Sequence, residues 1–207
     1  MSEPRIGRVL VASLHQGIAE TLPDRLEFYE NWLTVEGLRE GTIGLAPLHA
    51  VLSFLRAEGE PYHEATARAG RYAAEWTVNG LPGIERRLLM MLPHALRARG
   101  ALRTARALVT STYPGSRAIV QGRKGQGSVD LRGSLFCEVR EPSALPLCGY
   151  YAAAITRVLE LFGLEATTTI VECRSSGSRR GCRMAVSVNG APGQNRPAAE
   201  EEPRADA

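Results

Sequence analysis

The sequence predicts a mixed α+β (α/β) fold, in which a helical N-terminal half is followed by short strands around one further helix. Two observations carry this expectation. Apolar residues recur at three- and four-residue steps through roughly the first 110 residues, the period of a helix face. Beyond Tyr113 the segments shorten, β-branched residues increase and glycines divide them, the pattern of strands and turns.

The helical half opens with Ile6, Val9, Leu10, Ser13, Leu14 and Ile18 on one face. Pro23 stands near the start of a second helix carrying Leu26, Tyr29 and Leu33, because a first-turn proline gives up no hydrogen bond. Pro47 opens a third helix (Leu48, Val51, Leu52, Leu55) that stops near Gly59, and Pro61 opens a fourth. In the fourth, Ala65, Ala69, Tyr72, Ala73 and Trp76 form a small-residue stripe suited to close packing. A fifth runs from Ile84 to Arg99, kinked or divided at Pro93, and a short helix over Leu102–Leu108 completes this half. Strands are then expected at Ser116–Gln121, Gly127–Arg132 and Gly133–Arg140. A helix spans Leu147–Phe162 and ends at Gly163, and the hairpin strands Glu165–Glu172 and Gly181–Val188 close the fold. These parts make one domain over residues 1–189, with a helical part at 5–111 and a sheet-plus-helix part at 115–189. The proline-rich, acidic stretch 190–207 is expected to be a disordered tail.

The composition, 44% hydrophobic and 23% charged over 207 residues, is that of a folded domain able to bury a core without disulfides. The net charge of +3 is carried almost wholly by arginine, since Lys124 is the only lysine. The arginines are interspersed with glutamates along the helices, so no nucleic-acid face is expected. The apolar run Val9–Leu14 is too short for a signal peptide, and nothing approaches the roughly 18 apolar residues of a transmembrane span. The reading is a cytoplasmic protein with thiols rather than disulfides.

Cys137, Cys148, Cys173 and Cys182 all lie in the last third. Cys148 falls in the first turn of a helix, where the dipole and free N–H groups favour a thiolate. Cys173 ends one strand and Cys182 begins the next, so the turn between them brings the two together. Three such thiols can hold Zn²⁺, completed by a carboxylate, a fourth cysteine or water. Equally, free cysteines pack in cores as small hydrophobes with no chemistry.

The stretch PLCGYYAAAITRVLELFGLEATTTIVECRSSGSRRGCRMAV resembles the C-terminal half of 4-vinyl reductase domains, through Pro146, Cys148, Gly149, Tyr150, Tyr151, Gly163, Cys173, Gly177, Gly181 and Cys182. The resemblance is specific over residues 133–188. It implies the fold shared with Bet-type subunits of the TRAPP tethering complex, helices on a twisted antiparallel sheet with an apolar ligand pocket between them. It also implies kinship with aromatic-sensing domains of bacterial enhancer-binding activators, whose matching three cysteines bind structural zinc with a glutamate three residues before the middle one. Ile170 occupies that place here, and Glu172 is expected on the opposite face of its strand, which makes Cys137 the better fourth ligand.

Other constellations carry less. His15, His49, His63 and His94 are spread over separate helices, with no metal-binding spacing. Gly122–Gly127 lacks the order of a phosphate loop and reads as a hairpin turn, and no Gly-x-Ser-x-Gly elbow is present. Haem nitric-oxide sensors, distantly similar in fold, carry Tyr-x-Ser-x-Arg; Tyr113 and Arg117 keep that separation, but Gly115 stands where the serine should, and haem is not expected.

For a small-molecule site, Tyr72, Trp76, Phe136, Tyr150 and Tyr151 are the candidate lining, with Met90 and Met91 beside them, and core packing is the competing role for each. The expectation is therefore a sensor or carrier of a hydrophobic or aromatic small molecule rather than a catalyst. It would be homodimeric through its helices and signal through a separate partner. Two alternatives follow from the resemblance: a bacteriochlorophyll-precursor 4-vinyl reductase or tetrapyrrole-binding helper, for which no flavin or nicotinamide motif is present, and a TRAPP-like assembly subunit.

Overall fold

A computed structural model of the chain describes residues 6–40, 43–113, 115–123, 126–139 and 142–189. The expected tail at 190–207 and the tip of the Gly122–Gly127 turn lie outside these residues. Helices pack on a four-stranded antiparallel sheet, the mixed α+β architecture that the change of period predicts.

The helices are α1 (Arg8–Thr21), α2 (Leu26–Glu30), α3 (Val35–Glu40), α4 (Leu45–Ala57), α5 (Glu60–Asn79), α6 (Gly83–Met91), α7 (His94–Thr112) and α8 (Gly149–Leu161). The strands are β1 (Arg117–Arg123), β2 (Gln126–Arg132), β3 (Ala166–Glu172) and β4 (Cys182–Val188), in the order β1-β2-β4-β3. Ala118, Val129, Leu131, Met184, Val186 and Val188 are buried on the face of the sheet that carries the core. On the other face, Asp130 and Glu172 pair with Arg183, and Ile119 and Val171 are exposed. One-sided burial of this kind is what an antiparallel sheet tolerates.

Helix α5 is the centre of the helical layer. Its small residues Ala65, Ala69 and Ala73 are fully buried, and it is flanked by α1 and α8 at backbone contact. A Cβ on Gly17 of α1 would come within 2.4 Å of the Ala65 carbonyl oxygen, and one on Gly70 of α5 within 2.2 Å of the Tyr150 carbonyl oxygen. Glycine is required at both places by close approach, not by φ.

Three expectations need correction. The expected strand Gly133–Arg140 is not one over its described residues, 133–139: Gly133 turns the chain at φ +69° into a short 3-10 helix, Leu135–Cys137. Both sides of β2 are already occupied, by β1 and β4, so the sheet has no place beside it. The 3-10 turn also buries Leu135, Phe136 and Cys137 together, which strand alternation cannot do. Second, the chain divides at Pro93, yet the helix after it runs unbroken through Gly100 to Thr112. Gly100 makes room for Leu89 of α6, whose Cδ2 would lie 2.4 Å from an added Cβ. Third, the helix after Pro23 stops at Glu30, and Leu33 is buried from the turn that follows.

Candidate metal centre and ligand clefts

Four separate pieces of backbone deliver the four cysteines to one point. Cys137 ends the 3-10 turn after β2, Cys148 is the N-cap of α8, Cys173 follows β3 and Cys182 begins β4. All four are buried, and their sulfurs lie within 4.8 Å of one another. The separations are 3.3 Å for Cys148–Cys173, 3.4 Å for Cys137–Cys173, 3.5 Å for Cys137–Cys182 and 3.8 Å for Cys173–Cys182. A tetrahedral metal with bonds to sulfur of about 2.3 Å has sulfur–sulfur edges of about 3.8 Å, so the cluster has the size of a closed Zn²⁺ site. No pair is at the roughly 2.05 Å of a disulfide, and all four cysteines are free.

The electrostatics fit a cation. Donation from the thiols of Cys137, Cys148 and Cys182 holds the Cys173 thiol far below the ordinary range. The neighbouring sulfurs of Cys137, Cys173 and Cys182, then burial, push the Cys148 thiol well up. Hydrogen bonds from neighbouring thiols also lower the Cys182 thiol, so the cluster divides into two thiols shifted down and two shifted up, and deprotonating all four needs a positive ion among them. The surroundings fix the ligand loops. The Arg174 N–H donates to Cys182 Sγ at 3.4 Å, Ser175 Oγ lies 3.1 Å from Cys173 Sγ, and the buried Tyr62 hydroxyl donates to the Leu147 carbonyl at 2.9 Å. Glu172 is held by Arg183 and Ser178, away from the cluster, and Ile170 packs on the core. A shift in the β3–β4 register between Ile170 and Glu172 delivers Cys173 to the end of the sheet.

The expected ligand-lining residues divide into two groups. Phe136 and Tyr150 stack at 4.8 Å, and Tyr151 meets both edge-on at 5.4 and 5.3 Å; all three are fully buried. The Tyr151 hydroxyl faces Thr112, Ser116 and Ser134 but has no hydrogen-bond partner among the described residues. Tyr72 and Trp76 stand apart from this group, on the outer flank of α5: the Tyr72 hydroxyl donates to Glu20, and Trp76 is 40% exposed. Met90 and Met91 are exposed on α6.

A cleft of about 930 Å³ opens between α4, the start of α5 and the segment leading to Cys148. His49, Arg56, Tyr62, His63, Leu145 and Leu147 are among the residues lining it. Arg56 donates to Ser53 Oγ at 3.0 Å through Nη2, whereas its buried Nη1 has no acceptor among the described residues. His49 Nε2 lies 3.2 Å from Glu138. In the sequence these two histidines lie on separate helices with no metal-binding spacing. The available signal was the seven-residue step from His49 to Arg56, which puts both on one face of α4.

No family model matches the chain, and no curated protein matches it. Solved structures do. The phenol-responsive sensory domain of the transcription activator PoxR, with phenol, is similar at 17% identity over 70% of this chain and 74% of that one, with a TM-score of 0.51. An unliganded Fe(II) H-NOX protein mutant from K. algicida is similar at 10% identity over 89% of this chain and 97% of that one, also with a TM-score of 0.51. At these identities the likeness is one of fold.

Proposed function

We propose that the chain is a small-molecule sensory domain of the 4-vinyl reductase type, with one structural Zn²⁺ held by Cys137, Cys148, Cys173 and Cys182. The observation that carries this reading is the convergence of four buried sulfurs within 4.8 Å of one another. The likeness of the fold to a phenol-responsive sensory domain supports it. When bound, zinc supplies a closed, redox-inert cross-link between the sheet and the start of α8. The ligand is a hydrophobic or aromatic small molecule in the cleft beside Leu147, one residue from Cys148; Phe136, Tyr150 and Tyr151 do not line that cleft and pack in the core. The cleft's size suits such a guest, since ligand sites commonly enclose about 300–1,000 Å³. Recognition of the ligand is passed to a separate signalling partner.

Elemental analysis with native mass spectrometry, on protein purified without chelator, tests the metal centre. About one zinc per chain is expected, lost when Cys148, Cys173 or Cys182 becomes serine. A folded chain free of metal would overturn the zinc assignment and leave the cysteines as packing. Titration with phenol and substituted aromatics, read by thermal shift in the wild type and in Leu147→Ala, tests the cleft separately.

A second feature favours a role in assembly. Helix α6 buries none of its residues, and Ile84, Leu88 and Met91 lie along one stripe, with Ile84 77% and Met91 82% exposed. An exposed apolar stripe of this kind marks an association surface, and a second copy of the chain is its proposed occupant. Among the described residues no helix is long and apolar enough to cross a membrane.

A further inference from the structure

A second cleft, of about 410 Å³, opens against the metal centre on the side of Cys182. Three segments bring arginine to it: Arg132 at the end of β2, Arg174 directly after Cys173, and Arg179 and Arg180 in the loop before β4. No carboxylate belongs to its lining. The acids on the adjoining strands are engaged elsewhere, since Asp130 and Glu172 pair with Arg183 at 3.0 and 3.4 Å. Among the described residues, none of the four arginines takes part in an ion pair, whereas Arg25, Arg68, Arg157 and Arg183 do.

The four arginines that line this small concavity stay charged at every physiological pH, and like charges gathered in one place repel. An anion relieves that repulsion, and the planar fork of each guanidinium matches an oxyanion with two parallel N–H donors. We propose that this cleft binds a small multivalent oxyanion of the phosphate class. The position has a consequence for the neighbouring centre. The Arg174 N–H already donates to Cys182 Sγ, so an anion held by the Arg174 and Arg180 side chains rests on the loop that carries two of the four sulfurs.

The test is calorimetric titration of the full chain with inorganic pyrophosphate at constant ionic strength, in the wild type, in Arg132→Ala and in the double variant Arg179→Ala/Arg180→Ala. All three arginines are exposed, and circular dichroism with metal content verifies that the variants fold. Saturable binding of one pyrophosphate per chain, weakened at least about tenfold in each variant, is the expected result. Undiminished binding in the variants would overturn the assignment, as would a response reproduced by sodium chloride at the same ionic strength. Duplex DNA binding that needs these arginines, without saturable pyrophosphate binding, would also overturn it and mark a nucleic-acid face. A nucleoside diphosphate serves as a second probe: equal affinity assigns the site to the free anion, and tighter binding to a phosphate carried on a larger molecule.

Discussion

Ser175 is buried, and its hydroxyl joins two loops of the cysteine cluster. It accepts the Leu147 N–H at 3.2 Å, which leaves its own proton to donate to Cys173 Sγ at 3.1 Å. Ser175→Ala therefore removes a support of the Cys173 sulfur and strands a buried N–H. We expect a loss of about 1–3 kcal/mol in denaturant unfolding and, if the cluster holds the proposed zinc, an affinity lower by roughly 10- to 100-fold in chelator competition. An unchanged chelator curve would show that the hydroxyl only fills space. At this scale the sequence was legible where chemistry is local. Cys148 at a helix start and Cys173 and Cys182 at the two ends of a hairpin turn had to converge once those elements formed. Cys137 joins them from a 3-10 turn rather than a strand, and its place depended on which edges of β2 were free, a property of the whole sheet. Tyr72 and Trp76 lie one turn apart on the same helix as the buried alanines, and no local signal separated the buried stripe of α5 from its exposed flank.

Among the elements, the close packing of α5 was legible in the sequence, because its alanines announce it. The two glycines that set that packing give no periodic signal of their own. In Gly70→Ala the new Cβ would meet the Tyr150 carbonyl oxygen, a backbone atom that cannot rotate away. The substitution is expected to destabilise the protein by about 1–3 kcal/mol, despite the better helix propensity of alanine. Gly83→Ala, at the start of α6, is the contrast: nothing lies within 4 Å of its added Cβ. Here the restricted unfolded chain should raise stability by about 0.4–1 kcal/mol. Urea unfolding of the pair checks both signs. Equal effects would mean that helix propensity, not the approach of α8, governs the site.

The molecule as a whole has two properties that belong to no single element. The first is association. If the α6 stripe is a homodimer contact, sedimentation should give a dimer that Leu88→Glu converts to a folded monomer; a wild-type monomer at all concentrations would remove that reading. The second is stability against alkali. Burial, more than any neighbour, pushes the Tyr151 phenol up to about 12 from an ordinary 10.0, and moves Tyr150 in the same direction. The folded state thus favours the neutral phenol. Its contribution is complete below pH 10, falls as the unfolded chain ionises first, and is gone above the folded value. Stability should therefore decline between about pH 10 and 12 by about 1.4 kcal/mol per pH unit for each such group. Tyrosinate absorbance appearing together with unfolding checks this, and ionisation in the intact fold would contradict it. Finally, the contacts at Gly17 and Gly70 set main chain against main chain, and main chain has no rotamers with which to absorb a displacement. Helices α1, α5 and α8 are therefore geared together. A guest that shifts the start of α5 by a fraction of an ångström moves the first turn of α8 with it, and Cys148 caps that turn.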